Sequence, residues 1–285
     1  MKLLHRVAEL SEALDAERRK GRTVGLVPTM GALHAGHVSL VARAAAENDV
    51  VGVTIFVNPL QFAPGEDLDR YPRTLDADCV LVDEAGADYV LAPSVEEMYG
   101  PGGSRTTVSV ADEMTQVLEG ASRPTHFDGV TTVVAKLFAM AGSCRAYFGE
   151  KDFQQLAVVR RMAFDLSFPV EIVACPTVRD DDGLALSSRN QYLNGEERDA
   201  APVLHRALRT AAAAVEAGER DPAVVSALMA ELVAASPLFE LDYAVAVDPG
   251  TLGVPERLDG DTRLLIAARL RSGSARLIDN LGTWA

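Results

Sequence analysis

His34 and His37 stand three residues apart in the stretch Val27-Pro28-Thr29-Met30-Gly31-Ala32-Leu33-His34-Ala35-Gly36-His37. Helical spacing puts residues three apart on one side of a helix. Two imidazoles so placed can donate hydrogen bonds to the charge that develops in phosphoryl or nucleotidyl transfer. The surroundings suit that chemistry. Thr23 to Val27 reads as a short buried strand and Val38 to Ala46 as a helix, so the histidines lie in or just before the first helical turn. Gly31 and Gly36 lack a Cβ and let the backbone turn tightly beside a ligand. The helix N-terminus favours an anion such as phosphate.

Two further stretches could share that chemistry. Asn58 and Gln61 follow the apolar run Val50 to Val57 directly. Ligands of open parallel sheets bind beyond the carboxyl ends of the strands, which puts both amides in the crevice of the histidines. Gly149-Glu150-Lys151-Asp152-Phe153-Gln154-Gln155 follows a brief strand, Arg145 to Phe148, and makes a second strand-to-helix turn. A lysine there opposes the helix dipole, so Lys151 is expected to have an anionic partner. Ser187, Ser188 and Arg189 bring two hydroxyls and a guanidinium into one loop, suited to phosphate oxygens. Asp180 to Gly183, just before them, reads as a mobile turn. The residues alone argue for a nucleotide across two strand ends with a cationic loop over its phosphates. They do not identify the acceptor.

The HxGH pattern resembles the signature of the nucleotidyltransferase superfamily, which includes the class I aminoacyl-tRNA synthetases. The longer PTMGALHxGH is more specific and resembles the pantothenate synthetase family, ligases that join pantoate and β-alanine using ATP. FVNPxQF ending at Phe62, RPTHFxGV from Arg123, FGEKDxQQ from Phe148 and GLALSSRN from Gly183 match the same family, with Leu186 where relatives commonly carry Met.

The resemblance implies a set of roles. ATP contacts fall to Met30, Gly31, His34, His37, Gly149, Glu150, Lys151, Asp152, Val178, Leu186, Ser187, Ser188 and Arg189. His34, His37, Lys151 and Arg189 act in catalysis, with His37 either a charge stabiliser or an acid. Gln61 and Gln155 bind pantoate, and Gln61 also contacts β-alanine. Asp78 helps hold magnesium, although Ala77 stands where some relatives carry a second Asp. The implied reaction runs through pantoyl adenylate and releases pyrophosphate and AMP. An adenylating enzyme without amide ligation and a non-catalytic nucleotide-binding module are the alternatives. A homodimer is the family's habit.

The elements that must position these residues follow from pattern. Strand, helix and strand from Thr23 to Val57 form a right-handed βαβ unit. The expected fold is α/β: a Rossmann-like parallel sheet over residues 1–177, then a smaller α+β domain over 178–285 that the resemblance implies closes over the active site. Val7 to Lys20 reads as an amphipathic helix, Thr106 to Val110 as a short outer strand, and Glu119 to Val130 as a loop. Glu196 to Ala217 and Asp221 to Ala235 read as helices. Leu241 to Val247, Thr262 to Leu270 and Ala275 to Asn280 read as strands, the last two a hairpin. His5, His205 and Trp284 are read as structural or surface residues.

Composition narrows the classes. The chain has 285 residues, 48% hydrophobic, with a net charge of −14. No basic block offers a nucleic-acid face, so a tRNA partner is not expected. No apolar run reaches the ~18 to 20 residues of a membrane span. Cys79, Cys144 and Cys175 are far apart and odd in number, which fits a reduced, cytoplasmic protein without a disulfide framework.

Overall fold

A computed structural model describes residues 1–111 and 113–283; Trp284 lies outside them. The chain divides into two compact units. One comprises Met1–Glu150 and Gln155–Pro176, the other Lys151–Gln154 and the residues from Thr177 onward.

The first unit is built on six strands among the described residues: β1 (Lys2–Leu4), β2 (Val24–Thr29), β3 (Val50–Ile55), β4 (Tyr89–Leu91), β5 (Cys144–Gly149) and β6 (Val170–Cys175). They pair in the order β1-β4-β3-β2-β5-β6, every pair parallel. Helices α1 (Val7–Arg19), α2 (Ala35–Glu47), α3 (Leu75–Glu84), α4 (Val95–Tyr99), α5 (Glu119–Ser122), α6 (His126–Ala141) and α7 (Phe153–Asp165) connect them. All six residues of β3 are buried, as a β-branched run covered on both faces requires. From β2 the chain steps outward through β3 and β4, whereas β5 and β6 extend the sheet on the other side of β2. The strand order therefore reverses between β2 and β5, the position where ligands bind in open α/β sheets.

The second unit is α+β. Helices α8 (Gly195–Ala200), α9 (Val203–Glu216) and α10 (Pro222–Ala234) accompany three antiparallel strands, β7 (Phe239–Val247), β8 (Arg263–Leu270) and β9 (Arg276–Gly282). Its core joins Leu204, Leu208, Val215, Val225 and Met229 to Phe239, Ile266 and Leu270.

Four local readings change. The three-residue strand β1, parallel to β4, is too short to show as a pattern in sequence. Thr106 to Val110 forms no strand, because side chains take its backbone groups. The Val108 N–H donates to Thr132 Oγ1, and the Thr131 hydroxyl donates to the Val108 carbonyl. Glu119 to Val130 is largely helical, and α6 begins at His126. The helix expected over Glu196 to Ala217 is split into α8 and α9 ahead of Val203, at Pro202, whose ring and missing N–H oppose a continuous helix.

Candidate active site

In the first unit, Met30, Gly31 and the histidines leave the carboxyl end of β2. Asn58 and Gln61 leave that of β3, and Gly149 and Glu150 that of β5. The histidines themselves start α2. His34 is its N-cap, and its Nδ1 accepts the Gly36 N–H at 3.2 Å. His37 sits three residues on, and its Nδ1 accepts the His34 N–H at 3.4 Å. This is a capping box made from two imidazoles. A ring nitrogen that accepts an amide proton carries none of its own, so each neutral ring holds its proton on Nε2. The rings lie 4.1 Å apart, centroid to centroid, tilted by 46°.

The turn into this helix is fixed from a distance. Gly31 and Ala32 have φ of +83° and +51°. The Asp78 carboxylate, on the first turn of α3 and 2% exposed, accepts the Leu33 N–H at 2.8 Å on Oδ1. Its Oδ2 accepts the Ala32 N–H at 3.0 Å and the Thr74 hydroxyl at 3.1 Å.

Gln61 is buried in the short helical turn after β3 and is held at both ends. Asn58 donates to Gln61 Oε1 at 3.1 Å, and Gln61 Nε2 reaches Met30 Sδ at 2.9 Å. Asn58 in turn accepts the Tyr99 hydroxyl at 2.7 Å and donates to the Gly129 carbonyl at 3.0 Å. Burial pushes the Tyr99 phenol well up, so it stays a donor. A Cβ on Gly129 would stand 2.3 Å from the Leu60 carbonyl oxygen, so only glycine lets α6 approach this turn. The Gln61 carbonyl accepts from His126 Nδ1 at 2.9 Å and from Arg123 at 3.2 Å. Arg123 also pairs with Glu66 through two contacts of 2.7 and 2.6 Å. Burial pushes the Glu66 carboxyl up, and Arg123 more than reverses this, leaving it below its ordinary value. Burial and the Arg123 charge bring His126 down to about 4, so it is neutral at pH 7. Sequence reasoning gave Asn58 no fixed role and none to Glu66 or Tyr99; the Tyr99–Asn58 and Arg123–Glu66 contacts join residues too far apart along the chain for spacing to reveal. Gln155 lies on α7, partly exposed.

The second unit carries the remaining candidates. The Leu186 N–H donates to the Val178 carbonyl at 3.0 Å, so the loop is a small hairpin. Ser187 caps the helical turn Ser188–Tyr192 by accepting the Arg189 N–H at 3.3 Å. The turn over Asp180 to Gly183 is flanked by ion pairs. Arg198 pairs with Asp180 and Asp182, and Arg179 pairs bidentately with Asp279, which is 4% exposed. The Lys151 ammonium lies 3.7 Å from the Asp152 carboxylate, and the Lys151 carbonyl accepts from Asn280 at 2.8 Å. Asn280 is itself held by Arg263, whose guanidinium covers the Phe153 ring.

The sequence model of the pantoate-beta-alanine ligase family matches residues 2–282. The chain belongs to that family. It is similar to the pantothenate synthetases of Moorella thermoacetica, 51% identical over 99% of this chain and 98% of that one, and of Chloroflexus aurantiacus, 53% identical over 98% and 97%. The structure of the Thermus thermophilus pantothenate synthetase matches with a TM-score of 0.94 at 50% identity over all of both chains. That of the Francisella tularensis pantoate-beta-alanine ligase, complexed with beta-gamma ATP and beta-alanine, matches with 0.80 at 31% identity over 100% of this chain and 98% of that one. The activity of a pantoate–β-alanine ligase is the ATP-dependent joining of its two namesake substrates, and the fold is the α/β arrangement described above. Among the described residues no helix is long and apolar enough to cross a membrane.

Proposed function

We propose that the chain makes pantothenate in two steps on ATP, through pantoyl adenylate. The observation that carries this reading is the imidazole pair at the start of α2, each Nδ1 accepting a backbone N–H, at the point where the strand order reverses. The pantoate carboxylate attacks the α-phosphorus and pyrophosphate leaves. The amine of β-alanine, in its neutral form, then attacks the acyl carbon and AMP leaves. A carboxylate is ionised at neutral pH, so the first step calls for alignment and charge stabilisation and not for a base. Neutral Nε2–H donors serve that need. Protonating either Nδ1 would set it against the amide it now accepts from. This favours His34 and His37 as charge-stabilising donors over an imidazolium acid.

Lys151, Ser187, Ser188 and Arg189 are assigned to the ATP phosphates, Met30, Gly31, Gly149, Glu150, Asp152, Val178 and Leu186 to the rest of the nucleotide site. Gln61 and Gln155 take the pantoate hydroxyls, and Gln61 lies nearest β-alanine in the assignment. Magnesium is proposed to enter as the counter-ion of the ATP phosphates. No group of three His, Cys, Asp or Glu among the described residues could hold an ion unaided. Asp78 spends three of its four acceptor positions on protein donors, which disfavours it as a direct ligand. A cytoplasmic homodimer without nucleic-acid or membrane partners completes the reading.

Product analysis of ATP and pantoate, with and without β-alanine, tests it. Positional isotope exchange in ATP is expected without β-alanine, and AMP with pantothenate once β-alanine is added. Steady AMP release that never needs β-alanine would favour a plain adenylating enzyme.

A further inference from the structure

Asp78 stands 45 residues from Leu33 in sequence, yet its carboxylate touches the two amides that precede His34. Oδ1 holds Leu33 and Oδ2 holds Ala32, with Thr74 fixing Oδ2 from its own helix. These amides belong to a turn that the backbone does not favour. Gly31 and Ala32 both lie in the left-handed region, and Ala32 has a Cβ that makes this costly. A Cβ added to Gly31 would stand 3.0 Å from Asp78 Oδ2 and 3.1 Å from Ile55, so carboxylate and turn are seated against one another. The next residue after the two held amides is the N-cap of α2, whose ring is half of the imidazole capping box.

We propose that Asp78 is the positioning residue of the histidine pair. Its carboxylate holds the left-handed turn in place, and the turn sets where His34 and His37 present their Nε2 protons. The inference rests on those histidines acting at the α-phosphate. It assigns Asp78 to the protein's own backbone, not to the magnesium ion.

The test compares Asp78→Asn and Asp78→Glu with the wild type in single-turnover adenylate formation from ATP and pantoate across a magnesium titration. An amide cannot accept both N–H groups, and a longer carboxylate cannot seat against Gly31. Both variants should therefore form adenylate about ten- to a hundredfold more slowly, with half-saturating magnesium changed by less than about twofold. Amide formation from preformed pantoyl adenylate and β-alanine should change by less than about threefold, which separates lost positioning from general damage. Near-wild-type rates in Asp78→Glu, or recovery of Asp78→Asn at saturating magnesium, would overturn the proposal in favour of a metal ligand. Equal losses in both half-reactions would overturn it too. Should the variants not fold, amide exchange in the magnesium-free wild type decides: Ala32 and Leu33 are expected to be protected, and exchange at open-loop rates refutes the idea. Absence of adenylation in the wild type would instead sink the functional reading beneath it.

Discussion

His126 donates its Nδ1 proton to the backbone carbonyl of Gln61 at 2.9 Å, while Arg123 approaches His126 Nε2 at 3.2 Å. The second contact needs a neutral ring, and burial with the Arg123 charge holds His126 down to about 4 against an ordinary 6.5. The unfolded chain thus binds a proton in this window that the folded chain refuses. Stability should fall as the pH drops from 6.5 toward 4, by on the order of 3 kcal/mol from this group. His205, lowered by burial and by Arg179, acts in the same direction. The measurement is therefore a difference: thermal unfolding of wild type and His126→Gln between pH 7 and 4, with a shallower acid slope expected in the variant. Parallel slopes would contradict it.

Gln61→Ala or Gln155→Ala should weaken pantoate far more than ATP. A site that matches hydroxyls loses about 1 to 3 kcal/mol when one buried partner is removed. Gln61→Ala should be the worse of the two, because Asn58 then loses its partner at Oε1 as well. Steady-state constants for each substrate check this, and equal losses for pantoate and ATP would count against the assignment.

His34→Ala and His37→Ala should slow adenylate formation by about a hundred- to a thousandfold, the scale of a lost transition-state donor, with ATP affinity much less changed. His37→Gln keeps one N–H donor and should recover part of the rate. Single-turnover rates across pH decide the chemistry. A rate that follows one protonated histidine, with no recovery in Gln, would establish an acid in place of a donor.

The Arg179–Asp279 pair offers a test within the second unit. Removing one partner of a buried ion pair leaves the other uncompensated, at about 3 to 5 kcal/mol. Asp279→Asn should lower the melting temperature and raise the KM for ATP, since Arg179 also donates to Gly183 in the loop that carries Ser187 to Arg189. An unchanged KM in a folded variant would show the loop to be held without it.

What could be read from the sequence was whatever lies close together along the chain. The histidine spacing, the turns after β2 and β5, and the Ser187-Ser188-Arg189 loop are all local, and glycine or proline beside them marks where they fall. Strands β2 and β3 were legible because they are largely apolar runs, whereas β1 has three residues and one buried side chain. The hydroxyls of Thr131 and Thr132 occupy the backbone of Val108, a non-local contact that no alternation in Thr106 to Val110 betrays. Asp78 reads in isolation as an acidic residue in the first turn of a helix, which the dipole alone would favour. Its actual partners are two amides of a distant turn, and amides carry no side-chain signature.

The anchoring of Lys151 by Asn280 also has a consequence for biosynthesis. Residues 151–154 belong with a unit whose remaining parts begin at Thr177, and the side chain that grips the Lys151 carbonyl arrives 129 residues later. As the chain leaves the ribosome, the turn after β5 is made early but stays without its anchor until β9 emerges. Domains fold as their last required segment becomes available. Nascent chains stalled before β9 should therefore hold the histidine turn in folded form while the Lys151 carbonyl still lacks its Asn280 donor.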